Sequence, residues 1–532
     1  MHIINICFEY FLKSDTINYY DEIIDRSTFY NIHQEITLLS KNWYLDFNDN
    51  FIYKDISIPE VMSYELFNTK INLILAVMMI LTVKKLKADI LNIYVSKNFT
   101  VETLYFELLN EMGVKYHLYE VDSELIQELL PATESIHESS IKKFIRNAIT
   151  FFNNKFKQTS NVGICYFQGY STTLKLIEYF DNTIAVDQIP RRISEIVSKK
   201  KPLYFLPKSS NKYKRNIPLN IKSDENFHEI VKSVFYNHYL NNKDEVKQMI
   251  DTVSSTFKKL GISKAILMTP NSRMSSIIKQ YIKQKNGTTF LYNHGVISYT
   301  HQKIDLDNID TILCWNDYEY LLYRSLGKNV YKVGYPHFFE LEKVKTKNKV
   351  EKETKISDSV ISILTLSTSE SYDITRQQII DMHIDLVKML LDLGAKKENI
   401  RLVIHPGRAN KEFYIEAYKD FLLQENIKKN IPIVDIINQS DIVIGGASTV
   451  IYEATFLNTP YYTYEPNAYN LLQTQTIFHE KYINAANSLS DLKQNLLYNN
   501  AQNIEEFKKC ALYNKNFFEV SDMIKKIVKE VK

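Results

Sequence analysis

The stretch Ser440–Tyr462, SDIVIGGASTVIYEATFLNTPYY, gathers residue types that suit an anion. It holds adjacent glycines, Gly445 and Gly446, in a chain with only 12 glycines in 532 residues. Glycine is needed where a backbone takes positive φ or where another group must come close to it. Here the pair sits between an apolar strand, DIVI, and a helix predicted to begin near Ser448. Small residues admit a ligand to the backbone, and the unpaired N–H groups of a helix start favour negative charge, as on a phosphate. Ser448 and Thr449 add hydroxyl donors. Glu453, one turn further on, suits a pair of neighbouring hydroxyls such as those of a ribose. The plainer alternative is that Ser448 only caps the helix and Glu453 makes a surface ion pair.

Further groups fall at comparable positions. His405-Pro406-Gly407-Arg408 follows strand RLVI, and both His405 and Arg408 can donate charge-assisted hydrogen bonds to phosphate oxygens. Ser367-Thr368-Ser369 follows SVISIL, and Asn293-His294-Gly295 follows TTFLY. Gly334-Tyr335-Pro336 follows NVYKV. A histidine at the end of a strand, with an ordinary pKa near 6.5, suits a general base, a role open to His294. Taken singly, each histidine could equally do no more than end a strand.

The elements that must position these loops alternate along the chain. In the C-terminal part SVISILTLS, IRLVIHP, IPIVDI (431–436), DIVIGG and TPYYTYE read as strands. Between them QQIIDMHIDLVKMLLDLG and KEFYIEAYKDFLLQ have helical apolar spacing. Short apolar strands alternating with helices predict parallel βαβ units and a Rossmann-like domain. The N-terminal part repeats the pattern in ADILNIYVS–VKYHLYEV, AILMTP–TTFLYNHG and DTILCWN–NVYKVGYP. Residues 125–225 give no clear assignment. The charged, apolar-poor stretch ELEKVKTKNKVEKETKISD reads as a linker. The expected architecture is α/β: an N-terminal Rossmann-like domain over 1–338, a linker over 339–358 and a C-terminal Rossmann-like domain over 359–532. The last helix is placed so that it can cross back, and ligands bind at the carboxyl ends of the strands.

Composition narrows the function. There are 65 Lys and Arg against 62 Asp and Glu, a net charge of +3. A protein built to grip nucleic acid needs a stronger basic excess, so no nucleic-acid partner is expected. The four cysteines, Cys7, Cys165, Cys314 and Cys510, form no CxxC pair and read as reduced core thiols of a cytoplasmic protein. The N-terminus lacks the basic region and cleavage site of a signal peptide. The apolar run INLILAVMMILTV (71–83) is shorter than the roughly 20 residues of a membrane span and reads as a buried helix. Basic clusters such as KSSNKYKR (208–215) leave room for peripheral contact with the inner face of the membrane. No P-loop, G-x-G-x-x-G, H-E-x-x-H or G-x-S-x-G motif is present. No acidic cluster points to a metal.

Together NHG (293–295), VGYP (333–336), IHPG (404–407) and SDIVIGGASTVIYEA (440–454) resemble the motifs of bacterial GT-B glycosyltransferases that build surface glycans. The resemblance covers about 265–465. It implies a nucleotide-sugar donor on the C-terminal domain, an acceptor (glycan, lipid-linked or protein) held mostly by the N-terminal one, and no resident cofactor. In similar enzymes using CMP-sialic acid, or CMP-linked nonulosonic or ulosonic acids, an HP motif and a Ser-Thr motif hold the CMP phosphate. His405-Pro406 and Ser448-Thr449 match those positions, and Ser367, Thr368, Gly407, Arg408, Gly445, Gly446 and Glu453 complete the implied donor site. Those families are inverting and take their base from an Asp/Glu-Asp-Gly motif that this sequence lacks, which leaves His294 as the substitute. The HG and GYP loops also resemble CDP-glycerol glycerophosphotransferases of teichoic-acid synthesis. The Gly-Gly loop and glutamate are similar to those of UDP-N-acetylglucosamine 2-epimerases.

Overall fold

The structure is a computed structural model. It describes residues 2–7, 14–19, 35–36, 38–40, 42–62, 87–96, 109–110, 113–121, 160–165, 176, 183–187, 203–206, 227–270, 272–292, 306–335, 341, 355–365, 376–404, 411–446, 448–464, 484–511 and 517–531. The apolar run 71–83 and most of the charged linker, 342–354, lie outside these residues.

Three parallel sheets carry the chain. The first is built from β1 (Ile3–Cys7) and β2 (Asn18–Tyr19), followed, beyond a small hairpin of β3 (Ile52–Tyr53) and β4 (Ile56–Ser57), by β5 (Ile90–Ser96) and β6 (Tyr116–Val121). Its order is β2-β1-β5-β6. The second sheet holds β7 (Val162–Cys165), β8 (Thr183–Asp187), β9 (Leu203–Phe205), β10 (Lys264–Leu267), β11 (Thr288–Leu291), β12 (Thr311–Cys314) and β13 (Asn329–Lys332). Its order is β9-β8-β7-β10-β11-β12-β13. The third holds β14 (Ile361–Leu364), β15 (Ile400–Ile404), β16 (Ile427–Lys429), β17 (Ile442–Gly445) and β18 (Tyr461–Thr463), in the order β16-β15-β14-β17-β18.

Counted from its own first strand, each of the two larger sheets begins 3-2-1-4-5, the Rossmann order. The chain therefore reverses direction between β7 and β10 in one sheet and between β14 and β17 in the other. This is the α/β architecture of two Rossmann-like sheets that the sequence implies. The first sheet is an addition to it. Residues 1–338 hold two sheets, which share one core with the helices Phe227–Leu260 and Arg273–Gln284. The longer helix reaches that core through Val231, Val234, Phe235, Val246, Ile250, Val253 and Phe257, the three-and-four spacing of an amphipathic stripe.

Two expectations change. Residues 125–225, unassigned from sequence, supply β7, β8 and β9, so one side of the seven-stranded sheet, from its edge to the reversal point, comes from there. IPIVDI does not form a strand: Ile433–Asn438 is a helix following Pro432, and the strand of that region is β16, just before it. Ile433, Ile436 and Ile437 stand three and four apart, which places them on one helical face, and Ile436 and Ile437 are buried. The helix Phe517–Glu530 buries Val520, Ile524, Ile527 and Val528 in the same cluster as Ile164, Ile266, Phe290 and Leu313 of the second sheet. The Lys264 ammonium fastens its end by donating to the carbonyls of Val528 and Val531, each at 2.6 Å.

Candidate functional site

The Gly-Gly loop leaves β17 at the reversal point of the third sheet, beside β14 on one side and β18 on the other. All four residues of β17 are buried. Gly445 pairs with Thr463, and its backbone is crowded by Tyr461. A side-chain carbon on Gly445 would stand 2.5 Å from the Tyr461 hydroxyl and 3.2 Å from Cβ of Leu364. The first glycine is thus required by a tyrosine of the protein itself. Tyr461 donates its hydroxyl to the carbonyl of Gly446 at 2.6 Å, which fixes the loop as it leaves the strand.

Beyond the loop the chain enters a two-turn helix, Val450–Phe456. Its N-cap is Thr449 and not Ser448, and the Thr449 hydroxyl makes no capping hydrogen bond. The carbonyls of Ser448 and Thr449 accept from the N–H groups of Ile451 and Tyr452. Glu453 lies on this helix, half-buried, and its carboxylate accepts a hydrogen bond from the hydroxyl of Tyr335. Tyr335 belongs to the GYP loop that follows β13, so Glu453 is held from the second sheet.

That contact is one edge of a joint between the two Rossmann-like sheets. Trp315 and Asn316 follow β12 and Tyr335 follows β13. On the other side stand Tyr452, Glu453 and Phe507, the last from the helix Ile504–Cys510. Tyr335 stacks on Tyr452 with ring centroids 4.6 Å apart. Trp315 meets both edge-on, at 5.0 Å and 5.7 Å, and Phe507 closes the cluster against Tyr452 at 4.9 Å. Offset and edge-to-face aromatic pairs contribute about 0.5–1.5 kcal/mol each beyond their buried area. The side-chain amide of Asn316 donates to the Tyr452 hydroxyl.

Asn316 can do this because it caps a helix. It is the N-cap of Asp317–Ser325, and its side-chain oxygen accepts from the Glu319 N–H at 2.7 Å. Glu319 reaches back and accepts from the Trp315 N–H at 2.8 Å. This is a capping box in all but one residue of its register, and it is buried. Burial raises the Glu319 carboxyl to about 7, the Trp315 N–H opposing the shift. The same burial pushes up the Cys314 thiol and the hydroxyls of Tyr323 and Tyr452, with the Glu319 charge adding to each.

The structure brings Gly445, Gly446, Ser448, Thr449 and Glu453 into one short run at the reversal point. Ser367, Thr368, His405, Pro406, Gly407, Arg408 and His294 lie outside the described residues. The strands they follow in sequence, β14, β15 and β11, are described, and β14 lies between β15 and β17. Asn316, Tyr452 and Tyr461 carry no sequence signal as site residues, and Tyr335 is named in sequence only as part of the GYP loop. The Asn-x-x-Glu spacing of Asn316 and Glu319 carried a signal for the cap. The partners across the joint carried none, because their sequence separation exceeds a hundred residues. Among the described residues no group of three His, Cys, Asp or Glu side chains could hold a metal ion, and no helix is long and apolar enough to cross a membrane. All four cysteines are buried and unbridged.

No family model matches the sequence, and no curated protein matches it. Several solved structures are similar in fold. UDP-GlcNAc 2-epimerase from Neisseria meningitidis bound to UDP-GlcNAc has 11% identity and a TM-score of 0.41, covering 70% of this chain and 99% of its own. The wall teichoic acid polymerase TagF with CDPG has 11% identity and a TM-score of 0.36, with 73% and 98% covered. The lipopolysaccharide outer core galactosyltransferase WaaB has 10% identity and a TM-score of 0.41, with 70% and 99% covered.

Proposed function

We propose that this chain is an inverting GT-B glycosyltransferase that moves a sugar from a nucleotide onto a hydroxyl of a bacterial surface glycan, lipid or protein. The supporting observation is a placement. The Gly-Gly-Ala-Ser-Thr loop leaves the reversal point of one Rossmann-order sheet, where such sheets bind nucleotides. The helix that follows it is docked against the strand ends of the other Rossmann-order sheet.

In this reading the nucleotide lies on the third sheet. Ser448 and Thr449 meet its phosphate with hydroxyl donors, and the Thr449 hydroxyl is not consumed by capping. His405, Pro406, Gly407 and Arg408, which follow β15 in sequence, join them in binding the donor, as do Ser367 and Thr368, which follow β14. Negative charge grows on the leaving phosphate as the glycosidic bond breaks, so donors fixed there stabilise the transition state more than the ground state. Glu453 takes the ribose hydroxyls. His294, which follows β11 in sequence, removes the proton of the acceptor hydroxyl. The proposed donor is a CMP-linked nonulosonic or ulosonic acid, the transfer invokes no metal, and the enzyme works in the cytoplasm with peripheral contact to the inner membrane.

A calorimetric titration of the chain with CMP, CDP, UDP and GDP tests this. Preferential binding of CMP supports the assigned donor. Preference for CDP moves the reading to a polyol-phosphate transferase, and preference for UDP to an epimerase-like isomerase. Binding of none removes the nucleotide site altogether.

A further inference from the structure

We infer that Tyr335 is a positioning residue of the donor site: supplied by the sheet opposite the nucleotide, it sets the direction of the Glu453 carboxylate. The inference rests on the reading of Glu453 as the ribose-binding group. Its evidence is the hydrogen bond from the Tyr335 hydroxyl to Glu453 and the way Tyr335 itself is held.

A glutamate that must meet two neighbouring hydroxyls has three side-chain torsions to fix. Left to itself, the carboxylate samples several rotamers and loses that freedom on binding. A hydroxyl that donates to one of its oxygens removes that freedom beforehand, so less is lost when the ribose binds. Tyr335 is suited to this because it cannot swing. Its ring is stacked on Tyr452 and abutted edge-on by Trp315, and it is itself buried. The backbone before it turns through Gly334 at φ +96°, a conformation that side chains rarely adopt and that fits the glycine of the GYP loop. Tyr452 and Glu453 are successive residues of one helix. The stack on the first and the hydrogen bond to the second therefore reach the same tyrosine together.

A consequence follows for binding. Tyr335 follows β13 of the second sheet and Glu453 lies on the helix after β17 of the third, so the ribose group is fully ordered only while the two sheets are docked. Nucleotide binding and docking favour each other, since a ligand shifts an equilibrium toward the state it binds better.

The test compares each ribonucleotide of the calorimetric panel with its 2′,3′-dideoxy counterpart, CMP against dideoxy-CMP first. The wild-type chain is expected to prefer the ribonucleotide by about tenfold or more, the scale of a charge-assisted hydrogen bond. Tyr335→Phe keeps the ring and its stacking and removes only the hydroxyl. It should reduce the preference to within about threefold while leaving dideoxynucleotide affinity unchanged. Glu453→Gln should do the same. Asn316→Ala weakens the joint but leaves the Tyr335 hydroxyl and Glu453 intact, so it should lower the Tm and, measured well below that Tm where the sheets stay docked, leave the preference in place. If Tyr335→Phe retains the wild-type preference, the inference is wrong. It is equally wrong if that variant weakens both ligands in proportion to a loss of Tm, which marks a structural role. Failure of the wild-type chain to bind any nucleotide instead refutes the underlying functional reading, and this inference with it.

Discussion

Tyr461 stands over Gly445 so closely that a side-chain carbon there would lie 2.5 Å from its hydroxyl, while that hydroxyl donates to the carbonyl of Gly446 at 2.6 Å. One tyrosine thus explains the first glycine and holds the second. Gly445→Ala should destabilise the chain by about 1–3 kcal/mol, as overpacking of a filled core does. Tyr461→Phe loses one hydrogen bond, at a cost of about 1 kcal/mol. The double variant should be more stable than the sum of the two predicts, because removing the hydroxyl removes the nearest clash. Thermal or denaturant unfolding of the four proteins of this cycle checks the coupling. Additive losses would mean that the tyrosine is not what excludes a side chain.

The Glu319 carboxyl makes a pH-dependent contribution whose sign is fixed by its burial. Its folded pKa is raised to about 7 by burial, above the unfolded value near 4.5. Between those values the folded chain holds more protons than the unfolded one. The contribution is therefore complete below pH 4.5 and is lost as pH rises through 7, with a slope of at most about 1.4 kcal/mol per pH unit. Gln in its place cannot ionise. The Tm of Glu319→Gln relative to wild type should rise from pH 5 to about pH 7 and level off above it. A constant difference would place the carboxyl in a wetter setting than the aromatic joint provides.

His383 contributes with the opposite sign. Burial lowers its pKa to about 4, and its Nδ1 lies 3.0 Å from the hydroxyl of Tyr418 between the helices Arg376–Asp392 and Lys411–Tyr418. The unfolded chain takes up a proton near pH 6.5 that the folded chain refuses. Stability from this group is present above pH 6.5 and is lost as pH falls toward 4. His383→Phe should flatten the acid side of the Tm-against-pH curve, with little effect on its alkaline side. An unchanged acid limb would assign acid unfolding to other groups.

The third sheet was legible in sequence because its strands are short apolar runs between helices of clear periodicity. β14, β15, β17 and β18 fall within the runs SVISILTLS, IRLVIHP, DIVIGG and TPYYTYE. The third expected strand, IPIVDI at 431–436, is a helix instead because six residues carry too few turns to separate the two periods. β7, β8 and β9 were hidden for a related reason. VGIC, TIAVD and LYF have three to five residues each, and they lie among Ser, Lys and Asn that give no flanking rhythm. The loop glycines announced themselves by scarcity, and their position at a strand end was read correctly. What sequence could not supply was distance. Tyr335 and Glu453 are 118 residues apart and Asn316 and Tyr452 are 136 apart, so only the folded sheets reveal them as pairs.

The last helix gives a prediction about how the two halves are fastened. Lys264 lies on β10, and its ammonium donates to the carbonyls of Val528 and Val531 at the end of Phe517–Glu530. The last carbonyls of a helix lack internal partners and carry the negative end of its dipole, so a cation there satisfies and attracts them at once. Lys264→Met keeps much of the aliphatic stem and removes the charge. It should cost about 1.5–3 kcal/mol, the scale of hydrogen bonds to a charged group. The loss should appear first as faster amide hydrogen exchange over 517–531, ahead of the sheets, because the helix is the element released. Exchange that accelerates equally in β10 and in the helix would show the lysine acting on the whole fold and not on this attachment.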